Sequence, residues 1–169
     1  MPRKVLVFDT SVLCCYLKVP GKETSGSRSD KWDYDRIAQL VGEEASNGAI
    51  FVLPLASIIE TGNHIAQAPG DRYTVAKSLA GLISAAARAT TPWAAFTDQA
   101  NLWGATQLET LAENWPSLAK AKTSIGDATI KNVAEYYAVA GFEVKILTGD
   151  AGLKAYEPLT PVLTPRRRR

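Results

Sequence analysis

Histidine, cysteine and long apolar runs are scarce in this chain of 169 residues. A single histidine, His64, and two adjacent cysteines, Cys14 and Cys15, offer the wrong spacing for a zinc site. Neighbouring cysteines rarely bridge, so no disulfide framework is expected and the setting is read as reducing and cytoplasmic. The longest mostly apolar run, Ala49–Ile59, contains Pro54 and Ser57 and falls well short of the ~20 residues of a membrane span. Only a short apolar segment precedes Asp9, where a signal peptide would need ~7–15 such residues. An excess of one charge sign is also lacking: 19 basic residues face 17 acidic ones. Four of those basic residues form the run Arg166–Arg169; the remainder of the chain is mildly acidic. An arginine run can hold phosphate, but here it reads first as a solvated tail.

What is present is a globular composition, 46% apolar and 21% charged. A single domain over residues 1–163, followed by a basic tail at 164–169, is the expected organisation, with no repeat or linker. Lys4–Phe8 and Ile50–Leu53 read as buried strands, Glu143–Leu147 as a third strand, and Pro161–Leu163 as a short last one. Between them, helices are expected over Val12–Leu17, Asp33–Ser46, Ser57–Gln67, Asp71–Arg88, Thr97–Ala112 and Ser124–Ala140. Val19–Asp30, punctuated by Pro, Gly and Ser, reads as a loop, and breaks are expected at Thr90-Thr91-Pro92 and Trp115-Pro116. Strands alternating with helices predict an α/β fold with a central, mainly parallel sheet. Ligands of such sheets bind beyond the carboxyl ends of the strands.

Four carboxylates sit near those ends or open a helix: Asp9, Glu60, Asp127 and Asp150. Each has an ordinary explanation. Asp9 can cap the next helix, and Asp150 can cap a short one or make an Asx-turn. Glu60 follows Ser57 by three residues, and Asp127 follows Ser124 by three, as in capping boxes. Gathered on one rim, however, four acids repel, and one must hold a proton unless a cation neutralises them. An all-oxygen set suits Mg²⁺ or Mn²⁺. Two such ions ~3.5–4 Å apart can clamp the attacking and leaving oxygens of a phosphodiester.

The stretches VLVFDTSVLCCYL, LPLASIIETGNHI and SIGDATIKNVAEYYAVAGFEVKILTGDAGLKAY, in that order, resemble the PIN-domain ribonucleases found as VapC toxins of toxin–antitoxin pairs. The first and last are the more specific: strand–Asp–x–Ser–apolar helix, then Asp–helix–Gly–strand–Thr–x–Asp. The resemblance implies a PIN-like fold and an endoribonuclease whose Asp9, Glu60, Asp127 and Asp150 hold Mg²⁺ or Mn²⁺. It also implies supporting hydroxyls at Ser11 and Thr148, an RNA substrate and an antitoxin protein as partner. The polar loop Val19–Asp30 is longer than in compact toxins, and Thr97–Ser124 aligns with no motif. Alternatives are a stand-alone RNA-processing nuclease, a non-catalytic RNA- or protein-binding module of the same fold, and a haloacid-dehalogenase-like phosphatase. The last requires a second Asp where Ser11 stands.

Lys18, Lys22, Arg28 and Lys31 surround Trp32 and Tyr34, a combination that can hold RNA by stacking between cations or simply pack a solvated loop. His64, one helical turn after Glu60, is a candidate substrate contact or a partly buried hydrogen-bonder. Trp93, Trp103 and Trp115 are assigned to the core or to a homodimer contact. Gly21-Lys22-Glu23 lacks the upstream glycine and following hydroxyl of a P-loop.

Overall fold

The apolar run Lys4–Phe8 forms β1, the middle strand of a three-stranded parallel sheet in the computed structural model, which describes residues 2–160. β1 leads into α1 (Thr10–Tyr16), a short antiparallel hairpin of β2 (Ser25–Ser27) and β3 (Asp30–Trp32), and α2 (Tyr34–Ser46). Strand β4 (Ile50–Val52) follows, then α3 (Leu55–Gln67), α4 (Arg72–Ala87), a 3-10 helix (Phe96–Trp103) and α5 (Ala105–Lys120). The described fold closes with α6 (Ile125–Val139), β5 (Glu143–Leu147) and α7 (Ala151–Lys154). The expected strand Pro161–Leu163 and the basic tail lie outside the described residues.

The sheet order is β4-β1-β5, with Val7 paired to Val52 on one side and Ile146 on the other. Side chains alternate across the sheet and build a core on each face. Leu6, Phe8, Phe51 and Leu147 pack with α1, α2, α3 and α4, whereas Val5, Val7, Val52, Val144 and Ile146 pack mainly against α6. Each fully buried side chain of this size contributes ~1.5–3 kcal/mol. Trp93 belongs to the first core: it contacts the rings of Phe8 and Phe51, and its segment bonds to Phe51 as a short extension of the sheet.

Three local expectations are corrected. Part of the loop Val19–Asp30 is the β2–β3 hairpin, whose Trp32 is buried in the core. The expected helix Thr97–Ala112 is instead a 3-10 turn followed by α5. Gln99 explains the interruption: its buried amide donates to Leu53 O at 2.9 Å and accepts from Leu55 N at 3.3 Å, tying this segment to the end of β4. Helix α5 runs through Pro116 rather than stopping there. Proline removes one backbone donor, but Ala112, whose carbonyl loses that bond, is exposed to water, and no residue of α5 is buried.

Candidate functional site

Asp9 stands where β1 ends. Its backbone N–H still donates to Leu147 O at 3.0 Å, continuing the ladder, while its side chain caps α1. Asp9 is buried, with 5% exposure. Its Oδ2 accepts from Ser11 Oγ at 2.6 Å and from Thr148 Oγ1 at 2.7 Å. Thr148 Oγ1 in turn accepts from Asp150 N, and Ser11 Oγ from Gly149 N, each at 3.0 Å. The two hydroxyls thus lock the ends of β1 and β5 together and fix the Asp9 carboxylate. Among the described residues, no hydrogen bond is taken up by its Oδ1.

Glu60 does not occupy a capping box. Helix α3 starts at Leu55, which puts Glu60 in its second turn, and the Ser57 hydroxyl donates to Phe8 O at 2.6 Å instead. Glu60 Oε2 accepts from Thr10 Oγ1 at 2.9 Å, so a residue of α1 aims this carboxylate. Its Oε1 lies against Gly126 in the first turn of α6, where any Cβ would collide with it. A side chain at this position would have to push the Glu60 carboxylate aside.

Ser124 caps α6 by accepting from Asp127 N at 3.0 Å. Burial pushes the Asp127 carboxyl up to about 6, and the charges of Asp9, Asp150 and Glu60 push the same way, against a hydrogen bond with Ser124. Asp150 caps α7, accepting from Gly152 N and Leu153 N through Oδ1. Three of the four acids therefore do both things their positions suggest: they cap a helix or open its first turn, and they face a common space.

That space is a pocket of about 480 Å³ lined by Asp9, Glu60, Asp127 and Asp150, with Ser11, Lys22 and His64 also in its wall. The carboxylates stand around it rather than in contact. Among the described residues no three His, Cys, Asp or Glu side chains converge into a ready ligand set. The donor chemistry nonetheless fits a hard divalent cation: the set is all oxygen, and Asp9 keeps a free carboxylate oxygen.

The basic cluster does not act as one patch. Lys22 and His64 line the pocket, whereas Lys18, Arg28 and Lys31 do not. Lys18 Nζ lies 3.8 Å from the centre of the Tyr34 ring, which also stacks on Tyr16. Trp32 is 5% exposed and covered by the Arg36 guanidinium at 3.8 Å. Lys18 and Arg36 thus cover aromatic rings, and Trp32 is not free to stack on a base. Sequence reasoning missed Thr10, Gly126 and Gly149. The last sits against the β2–β3 hairpin so closely that a Cβ would strike Ser25 Oγ and lie 2.6 Å from Gly26 N. No local pattern signals either glycine, because each is required by an element distant in sequence.

No helix among the described residues is long and apolar enough to cross a membrane. Comparison of the chain with protein-family models, with curated proteins and with solved structures finds no match.

Proposed function

We propose that the protein is a metal-dependent endoribonuclease with a PIN-like fold. The observation that carries this reading is the convergence of Asp9, Glu60, Asp127 and Asp150 on one pocket at the carboxyl rim of a parallel sheet, with Asp127 raised first by burial and further by the charges of the other three. Asp9, Asp127 and Asp150 would hold Mg²⁺ or Mn²⁺, with Glu60 as a further ligand or as the group that orients the attacking water. The cation would supply charge neutralisation at the scissile phosphate and an acidified water for in-line attack. Ser11 and Thr148 saturate Asp9 Oδ2 and so direct Oδ1 toward the pocket. Thr10 holds the Glu60 carboxylate in place through Oε2.

Incubating the purified protein with single-stranded RNA and Mn²⁺ should give internal cleavage that EDTA abolishes. Intact RNA under all divalent ions, with the protein folded, would overturn the reading. The sequence resemblance further supports a toxin neutralised by a protein antitoxin. A neighbouring gene product should then co-purify with the chain and suppress its activity, and expression of the chain alone should slow growth. An active enzyme that cells tolerate at high level would leave a stand-alone RNA-processing nuclease.

A further inference from the structure

Among the described lining residues of the acidic pocket, Lys22 is the one lysine or arginine. Its position is built rather than incidental. Val19, fully buried, anchors the turn Val19-Pro20-Gly21-Lys22, in which Lys22 N donates to Val19 O at 2.9 Å. Proline at the second position and Gly21 at φ +83° match a type II turn, which needs a residue tolerant of positive φ at its third place. A Cβ at Gly21 would meet nothing, so only this backbone angle calls for glycine.

Despite four nearby carboxylates, Lys22 joins none of the ion pairs among the described residues. Its charge nevertheless reaches the Cys14 thiol in the pocket wall. Thr24 and Ser25, which follow it, add polar groups to the same wall. An unpaired ammonium on a fixed turn beside an acidic pocket has a use if the carboxylates are offset by divalent cations. It is then the remaining fixed charge, and it suits a phosphate oxygen. Trp32, the neighbouring indole, is buried beneath the Arg36 guanidinium and gives no base-reading surface here.

We propose that Lys22 is a substrate-contacting residue that grips a backbone phosphate of single-stranded RNA next to the scissile bond, without reading its base. This rests on the nuclease reading above. Binding of a labelled single-stranded RNA 12-mer is measured in Ca²⁺ across a salt series, and cleavage is followed in Mn²⁺. Lys22→Gln should raise KM about tenfold with kcat within about twofold. It should also flatten the salt dependence of log K by ~0.7, the value of one phosphate contact on a single strand. Lys22→Arg should retain the wild-type slope. Gly21→Ala, which strains the turn without removing the charge, should weaken binding in the same direction.

An unchanged slope and KM in Lys22→Gln, with wild type binding and cleaving RNA, overturns the proposal and leaves the nuclease intact. Tighter Mn²⁺ binding in Lys22→Gln with unaltered RNA binding also overturns it, making Lys22 a counter-ion of the acids. Wild type that neither binds nor cleaves RNA, yet is stabilised by Mn²⁺, removes the nuclease reading and this proposal together.

Discussion

Asp9→Asn is the most direct residue-scale test. An asparagine can keep the two hydroxyl bonds through its carbonyl oxygen and turn its amide toward the pocket, so the lock between β1 and β5 survives. Cleavage should disappear, while the metal-free variant should melt no lower than wild type, because one charge leaves a crowded anionic cluster. Wild-type activity in this variant would remove Asp9 from the site. Asp127 makes a pH-dependent prediction. Its carboxyl is raised to about 6 from an ordinary 3.8, so between these pH values the folded protein holds a proton that the unfolded chain has lost. Its contribution to stability is fully present below about pH 4 and is lost as pH rises through about 6. In metal-free buffer, Asp127→Asn should therefore melt higher than wild type at pH 7, and the advantage should vanish near pH 4. Thermal unfolding of both proteins across that range checks the sign. A difference independent of pH would mean that Asp127 is not titrating in this window.

At the scale of elements, the β2–β3 hairpin is the piece that sequence patterning reads as loop. Each of its strands has three residues, and Ser-Gly-Ser carries no apolar alternation. Its order comes from outside: Trp32 is buried in the core, and Gly26 and Ser25 rest on Gly149. Gly149→Ala should displace the hairpin, since the backbone at Gly26 cannot yield as a side-chain tip can. The expected cost is ~1–3 kcal/mol, as for other overpacked contacts. Cleavage should fall with it, because Lys22, Thr24 and Ser25 move away from Asp150. Chemical denaturation and RNA cleavage of the variant measure the two effects. Unchanged stability would show that the hairpin is not seated on this loop. The strands β1 and β5, by contrast, were legible with the bounds the structure shows, since short segments rich in Val, Leu and Ile and bounded by polar turn formers admit few other readings. Helix α5 was harder because Pro116 signals an ending that an exposed helix can do without.

For the whole molecule, a cation binding only the folded chain stabilises it by RT ln(1 + [metal]/Kd), about 2.7 kcal/mol at a hundredfold excess over Kd. For a chain of this size that corresponds to a rise of roughly 5–10 °C in melting temperature. Mn²⁺ should produce such a shift in wild type, and the Asp127→Asn/Asp150→Asn double variant should lose most of it; equal shifts would place the cation elsewhere. The resemblance pointed to the Ser11 and Thr148 hydroxyls, whereas the sequence by itself determined the alternation of strands and helices and the acids that follow strands or open helices. These depend on local hydrophobic period and capping chemistry, which act over a few residues. It could not separate capping from convergence, because an Asp at a helix start looks the same in either role. Tertiary structure decided that. Placing β1 between β4 and β5 brings Asp9 within 2.7 Å of Thr148, 139 residues away in the chain, and the glycine at 126 admits Glu60 beside Asp127. It also sorted the cations, leaving Lys22 in the pocket wall and folding Lys18 and Arg36 over aromatic rings. Contacts between distant segments are set by packing of the whole core, and that is information no local window contains.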